Sequence, residues 1–456
     1  MAVIVVGAGP AGTRAAARLV EAGLRPILLD EGSRQGGQIY RRQPENFTRP
    51  PAALYGSEAG KATALHRDFA ALRPHIDYRP ETLAWGARPG ELLTLHGETA
   101  TALRYDALIL ATGATDRVMP VPGWTLPGAY TLGAAQIALK AQACAIGRRP
   151  VFFGTGPLLY LVAWQYRKAG VEVAAVLDTS PFAARLRALP LLAARPGVLL
   201  AGLRYTAALL RAGVRVESGI TPLAVEGEGG RVAAFRWRDR RGREQALATD
   251  AVGMGYGLRS ETQLADLLKC RFAFDPVARQ WLPELDAEGR SSVPGVYLAG
   301  DGALVRGADA AELAGRLAAC ALLRDAGHPV DPLETAHLRA GLRGMARFRR
   351  GLETAFPWPG AQAAALPDAT IICRCEAVTA GDIRHAAAAL DAPEVNRAKQ
   401  LMRPGMGRCQ GRVCGLAAAE VLAAARGVPV RAAGRLRGAA PVKPLPVATR
   451  MPEETP

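Results

Sequence analysis

Four cysteines near the end of the chain, Cys373, Cys375, Cys409 and Cys414, have the type and spacing to do chemistry. They read C-x-C, a gap of 33 residues, then C-x-x-x-x-C, within IICRCEAVT and GMGRCQGRVCG. Thiolates are soft ligands, and four of them converging on one point suit an iron–sulfur cluster or zinc. The single residue inside the first pair is tighter than is usual in zinc knuckles, which argues for a cluster. A structural zinc site and disulfides are the alternatives; disulfides are disfavoured because the other motifs suit a reducing, cytosolic setting.

A second redox element is written at the other end. Residues 3–31, VIVVGAGPAGTRAAARLVEAGLRPILLDE, read as an apolar strand, a glycine turn, an amphipathic helix and a second strand closing on acid. Gly7, Gly9 and Gly12 form G-x-G-x-x-G, with Pro10 and Ala11 opening the helix. The first glycine permits the turn, the second lets a pyrophosphate approach the backbone, and the third lets helix and strand pack closely. The helix N-terminus then faces the phosphates. Asp30 and Glu31 stand 18 and 19 residues past Gly12, and either can accept hydrogen bonds from ribose hydroxyls. Residues 150–178, PVFFGTGPLLYLVAWQYRKAGVEVAAVLD, repeat the pattern, with Gly154, Gly156 and a terminal acid, Asp178. Leu159 occupies the third glycine position and is expected to push helix from strand. A βαβ unit survives there on periodicity. Its ligand is NAD(H), another adenine nucleotide or none, with Asp178 favouring NAD over NADP.

Absences bound the chemistry. No redox-active C-x-x-C occurs, since Cys144, Cys270 and Cys320 stand alone and suit buried positions. The six histidines make no metal-ligand pair, and no serine-nucleophile elbow is present. With 456 residues, 49% of them hydrophobic, the chain can bury two or three cores. The net charge of +16 is carried almost wholly by arginine, scattered and not gathered into a stripe with aromatics, which speaks against nucleic-acid binding. Arg374, Lys399, Arg403, Arg408 and Arg412 surround the cysteines; they would raise the potential of an anionic cluster or simply form a solvated face. No leader or membrane span is evident, so a cytoplasmic location is expected, with inner-membrane association only through an acceptor chain.

These motifs resemble known families. The cysteine segment is similar to the bacterioferritin-associated-ferredoxin-like [2Fe–2S] domain over about residues 370–425. Gly36-Gly37-Gln38, Ala111-Thr112-Gly113 and the strand ending Gly300-Asp301 resemble the FAD stations of the glutathione- and thioredoxin-reductase-like flavoproteins. That resemblance implies FAD, with Gly37, Gln38, Thr112, Gly113 and Gly300 at the flavin and Asp301 at its ribityl–phosphate region. The implied fold is α/β: a two-dinucleotide-binding-domain flavoprotein with a small C-terminal helical [2Fe–2S] domain. The FAD-binding domain takes residues 1–120 and 256–328, and an inserted NAD(P)-binding-like Rossmann unit takes 121–255. A helical linker follows over 329–369, then the cluster domain over 370–427, where Thr379 and Asp382 read as a helix cap and Gly405 and Gly407 as tight turns. The last segment is a proline-rich tail over 428–456, either disordered or an arm lying on another surface.

GAGPAG, DEGSRQGGQIYRR, GTGPLL and the cysteine segment, in this order, resemble the large FAD-binding subunit of opine oxidases. Similar subunits occur in hydrogen cyanide synthase and in dye-linked proline or hydroxyproline dehydrogenases. The resemblance implies a heteromeric oxidoreductase acting on CH–NH bonds, in which a glycine- or sarcosine-oxidase-like flavoprotein subunit oxidises the substrate. A quinone or dye acceptor and a small ferredoxin-like subunit are further implied partners. On this reading the chain relays electrons through the cluster, with its FAD as relay or acceptor interface, and the arm after Val430 is able to dock on a neighbour. The alternative is a self-contained NAD(P)H-dependent reductase passing electrons to a carrier protein. The residues leave the substrate open.

Overall fold

The short apolar runs VIVV, ILL, ALIL and VYL are buried on both faces, as strands of a parallel sheet must be. The computed structural model describes residues 1–47 and 49–451, so residues 452–456 of the expected tail lie outside it. The runs pair in the order Val296–Leu298, Ala107–Leu110, Val3–Val6, Ile27–Leu29, Asp77–Arg79, with every pairing parallel. The order of connection reverses beside Val3–Val6. The crevice beyond Val6 and Leu110 is therefore the switch point at which such sheets bind ligands. The helices Pro10–Glu21 and Ala308–Asp325 cover one face in close contact: a Cβ on Gly315 would lie 2.0 Å from the Ala11 carbonyl oxygen.

A second parallel sheet runs Arg215–Ser218, Ala175–Asp178, Val151–Thr155, Val252–Tyr256, Ala129–Thr131. Each sheet's part of the chain also contains a three-stranded antiparallel meander, Thr82 to Arg104 in one and Thr221 to Ala248 in the other. The two crossings between the parallel sheets, Ala114–Asp116 and Leu258–Ser260, pair antiparallel with each other. Leu159, expected to hold helix and strand apart, is fully buried beside Phe152 and Val162, so helix Pro157–Lys168 uses the leucine as core.

Helix Pro332–Ala355 starts where the Asp331 carboxylate accepts the Leu333 N–H at 2.8 Å. The residues after it, expected as linker, are instead structural: Trp358, Ala363 and Leu366 are buried in the core of the cysteine domain. Their apolar side chains have nowhere else to leave water, and Trp358 adds an indole N–H to Glu420 at 2.9 Å. That domain comprises the hairpin Ile371–Cys373 and Val378–Thr379 and the helices Ala380–Ala388, Val395–Met402 and Gly415–Arg426. Thr379 and Asp382 form the expected cap as a reciprocal box, each side chain accepting the other's backbone N–H.

The segment after Val430 lies on the chain's own surface. Ala433 is fully buried and Leu436 packs with it against the cysteine domain. Arg435 pairs with Asp266 through bonds of 2.7 and 2.8 Å and lies over the Phe272 ring. Farther on, the Val442 N–H donates to the Trp85 carbonyl, and Arg450 exchanges backbone bonds with Glu98 and Ala100. The prolines prevent a helix, but the backbone groups left over find partners on the meander edge.

Asp266 and Arg435 are largely buried, so removing one leaves the other uncompensated. Arg435→Ala is expected to cost about 2 kcal/mol of stability. A lowered denaturant midpoint in chemical unfolding checks it, with Arg437→Ala, whose side chain makes no such pair among the described residues, as the control.

Candidate functional site

At the first switch point the glycine turn and its neighbours leave bare backbone. Gly7 has φ +105°, and a Cβ there would lie 2.4 Å from the Ala111 oxygen, so only glycine fits between the two strands. A Cβ on Gly12 would meet the Gly7 oxygen at 1.8 Å. Gly9 faces Gly37: a Cβ on Gly37 would lie 3.1 Å from the Gly9 Cα. The Gly36 N–H donates to the Ala8 oxygen at 2.9 Å and fixes this approach. Pro10 and Ala11 are buried behind the turn. Gln38, next in the loop, accepts from Arg41 at 2.7 Å.

The two candidate acids separate. Asp30 turns into the site, its carboxylate accepting the Ala8 N–H at 2.5 Å and the Gly32 N–H at 2.7 Å. Burial pushes its pKa up against these bonds. Glu31 turns outward and pairs with Lys443 of the arm. Asp301, after Gly300, accepts the Arg306 and Gly307 N–H groups at 2.8 and 3.0 Å, and burial raises its pKa also. It thereby shapes the loop that leads into helix Ala308–Asp325.

Cys373, Cys375, Cys409 and Cys414 come together as a chain of neighbours. Cys414 neighbours both Cys373 and Cys409, and Cys375 neighbours Cys409. The Cys414 thiol draws the Cys373 pKa down to about 6, assisted by N–H groups of Gly405, Glu376 and Cys375. Cys409 is likewise lowered, by Cys414 first, with the Val413 and Gly411 amides contributing. Cys414, beside both, is raised in turn by these two neighbours and by burial. Among the described residues, no three His, Cys, Asp or Glu side chains are grouped to hold a single metal ion. The set fits a cluster: four sulfurs, two already favouring the thiolate form, with backbone amides aimed at them. Gly407 acts by close approach, since a Cβ there would lie 2.2 Å from Cys375 Cβ, whereas Gly405 and Gly411 turn the loop with positive φ.

Residues of the second crossing connect the two sites, and nothing in their spacing announces it. Thr112 Oγ1 donates to the Glu261 carbonyl oxygen at 2.6 Å, and the Glu261 N–H donates to the Gly113 oxygen at 2.9 Å. The Glu261 carboxylate pairs with Arg412, between Cys409 and Cys414, at 2.6 Å. Partly buried Arg259 donates to the carbonyls of Gly411 and Arg412, and Gln263 to that of Gln410. Of the five cations expected around the cluster, Arg412 joins this strap. Arg403 pairs with Glu376, Lys399 bonds the Arg437 carbonyl, and Arg374 lies over Trp124.

The second switch point differs. Gly154 and Gly156 abut Gly255 and Gly257, with a Cβ on Gly154 only 1.9 Å from the Gly255 oxygen. Asp178, expected to meet a ribose, is fully buried and takes five donors from the protein. Thr155 Oγ1, Ser180 N–H and Ser180 Oγ bond Oδ1, while Tyr160 OH and Arg185 bond Oδ2. Its lone pairs are spent and its charge is neutralised by Arg185, so it neither accepts a ribose hydroxyl nor repels a 2′-phosphate. The donor set here does not fit the nicotinamide dinucleotide contact.

Residues 1–320 match the family model for pyridine nucleotide-disulphide oxidoreductases, and residues 371–424 match the BFD-like [2Fe-2S] binding domain. An opine oxidase subunit from Rhizobium meliloti is 38% identical over 98% of this chain and 86% of its own length. Hydrogen cyanide synthase subunit HcnB of Pseudomonas aeruginosa is 35% identical over 97% of each chain. Among solved structures, L-proline dehydrogenase from P. horikoshii shares the fold with a TM-score of 0.71 at 20% identity, over 98% of this chain and 78% of that one. The first family implies FAD and the second a [2Fe–2S] cluster. No helix among the described residues is long and apolar enough to cross a membrane.

At Gly9 a Cβ would meet only Gly37 Cα, at an ordinary 3.6 Å, so the apo fold tolerates a side chain that a pyrophosphate cannot. Gly9→Val is expected to give folded protein without FAD, read from the flavin absorbance of the purified chain. Retained flavin would contradict this pocket.

Cys409→Ser is expected to abolish the rhombic EPR signal of the reduced protein and lower its two irons and two sulfides per chain. Cys270→Ser, buried in a different core, is expected to change neither.

Proposed function

Because the chain belongs to the pyridine nucleotide-disulphide oxidoreductases, and within them to the family of the opine oxidase and hydrogen cyanide synthase large subunits, we propose that it is the electron-relay subunit of a heteromeric amine oxidoreductase. A separate flavoprotein subunit oxidises the carbon–nitrogen bond of an amino acid or opine, and this chain conducts the electrons towards a quinone or dye-type acceptor. The relatives' names support a partner, since each is called a subunit. When bound, FAD supplies both one- and two-electron chemistry and the cluster single-electron chemistry.

The chain's own residues do the positioning. Gly7, Gly9, Gly12 and Gly37 open the backbone to the pyrophosphate. Asp30, held at the turn by two amides, takes the ribose hydroxyls, while Glu31 ties down the arm. Thr112, Gly113, Gly300 and Asp301 border the flavin end of the crevice. Cys373, Cys375, Cys409 and Cys414 hold the cluster, and their neighbouring amides stabilise the negative charge on sulfur.

One observation carries the relay reading: Glu261 joins the Thr112–Gly113 turn to the Cys409–Cys414 loop with no residue between. A rigid spacing between two redox sites is what a relay needs. The rival, reduction by NADH at the second switch point, lacks such support, because Asp178 is sealed by Tyr160 and Arg185.

Glu261→Gln keeps the backbone bonds to Thr112 and Gly113 but loses the ion pair to Arg412. In the complex co-expressed from neighbouring genes, opine, proline, hydroxyproline, sarcosine or glycine is expected to reduce the cluster, read by freeze-quench EPR. The variant is expected to keep its FAD and iron yet reduce the cluster roughly 10- to 100-fold more slowly. Full turnover of any of these substrates by the isolated chain, or rapid bleaching of its flavin by NADH, would overturn the proposal.

A further inference from the structure

Three parts of the chain meet around one cavity of about 60 Å³: strand Leu258–Ser260 with the residues that follow it, the loop that carries Cys409 and Cys414, and the arm at residues 434–436. At roughly 10–15 Å³ for each water-sized group, the space takes about four to six non-hydrogen atoms. Its wall is polar in a way that folding alone does not explain. Ser260, Gln263 and Gln280 are only 2%, 7% and 4% exposed. Yet Ser260 Oγ, Gln263 Oε1 and Gln280 Nε2 have no hydrogen-bond partner among the described residues, and Trp281 Nε1 on the same wall has none either. Gln263 Nε2 donates to the Gln410 carbonyl at 2.6 Å, so it is the amide oxygen that is left over. A buried polar group without a partner is destabilising, and four around one space mark a place built for a polar occupant.

Charge says which occupant. The ionisable lining comprises Asp266, Glu420 and the arginines 259, 279 and 435. Arg435 takes Asp266 at 2.7 Å and Arg279 takes Glu420 at 2.9 Å. Arg259 has no carboxylate within ion-pair distance among the described residues. Its hydrogen bonds go to the carbonyls of Gly411 and Arg412, at 3.2 and 2.9 Å, and Glu261, two residues on, is held by Arg412. The lining therefore carries one net positive charge. The groups left over are N–H donors on Gln280 and Trp281, an acceptor on Gln263 and the Ser260 hydroxyl, which does either. A carboxylate or phosphate oxygen suits the arginine and the two N–H groups, and an occupant with a hydroxyl of its own also serves Gln263. Water alone would serve the neutral groups and leave the positive charge uncompensated.

We propose that this cavity binds one small hydroxylated oxyanion, a 2-hydroxy carboxylate or inorganic phosphate, and that the bound charge tunes the cluster. The binding site rests on the cavity; the tuning rests on the relay reading. The occupant lies against Gly411, between Cys409 and Cys414, and the charge of Arg259 acts on both cysteines. An anion there opposes the electron that reduction adds, so it lowers the potential of the cluster. Reduction in turn weakens anion binding by the same factor.

The test is equilibrium dialysis of the full FAD- and cluster-loaded chain against radiolabelled glycolate, inorganic phosphate and acetate. One equivalent of glycolate or phosphate is expected to bind, and the tighter of the two identifies the source. Acetate, with no hydroxyl for Gln263, is expected to bind about 10-fold more weakly. Trp281→Phe and Gln280→Met keep the shape of the wall and remove one donor each. Each is expected to weaken binding by about 10-fold while FAD and iron content stay unchanged. The midpoint potential of the cluster, followed by EPR, is expected to fall when the anion is added to wild type and to stay constant in Trp281→Phe. Binding of neither anion, or binding indifferent to both substitutions, overturns the site. Acetate bound as tightly as glycolate overturns the hydroxyl requirement. A potential that ignores a bound anion overturns the tuning alone, and a chain that assembles no cluster overturns the relay reading while the dialysis still decides the site.

Discussion

Glu261 carries more of this architecture than any cofactor-facing residue. Its backbone closes two bonds with Thr112 and Gly113, just past strand Ala107–Leu110, which borders the first crevice. Its carboxylate meets Arg412 within the loop between Cys409 and Cys414, where both side chains are nearly out of water. An ion pair so placed is stabilising only when both partners are otherwise hydrogen-bonded. That condition holds for Arg412, which also donates to the carbonyls of Cys409 and Val442. The arm is therefore part of the same junction. Pulling the cysteine loop away would strand Arg259 and Arg412 together, at a cost that keeps the two sites in one register.

The arm adds a second tie between the same bodies. Leu436 lies against Gly405, Gly411 and Gly415, so the backbone of the cysteine loop is backed by an apolar side chain. Farther on, Lys443 reaches Glu31, beside the acid that lines the glycine turn. A segment without secondary structure of its own thus runs from one redox site to the other. It is held by ion pairs, backbone bonds and a few apolar anchors, Ala433, Leu436 and Val442, that enter the cores of the two domains.

The parts legible in the sequence are those in which one local constraint dictates residue type. Gly7 and Gly12 are glycine because carbonyl oxygens occupy the space of a Cβ, and that requirement shows as a motif. The cysteine spacing is legible for the same reason, as is the Thr379–Asp382 box. Glu261, Arg259 and Gln263 are not legible, because their partners lie about 150 residues away in sequence and an isolated charged residue has no signature. The segment of Trp358 and Leu366 reads as linker because its prolines outweigh its apolar residues; the tryptophan is the signal against it. The choice between Asp30 and Glu31 needs the fold, as adjacent side chains at a strand end point in opposite directions.

Asp178 shows why a motif and its chemistry can part. The second sheet keeps the strand, turn, helix and acid of a nucleotide-binding unit, so pattern alone predicts a ribose contact. Leu159 in place of glycine does not break the unit, because the core accepts it. The decisive changes are Tyr160, one residue farther, and Arg185, on helix Phe182–Leu192. Tyr160 sends its hydroxyl to Oδ2, and Arg185 adds a compensating charge while lying over the Tyr160 ring. An unpaired carboxylate at that depth would be costly; a ribose or an internal donor set can each satisfy it, and this chain supplies the donors itself. The acid that a dinucleotide domain would use for its ligand has become the anchor of helix Phe182–Leu192. Neutralising the acid and fixing that helix against the second sheet are thus the work of one side chain, Arg185.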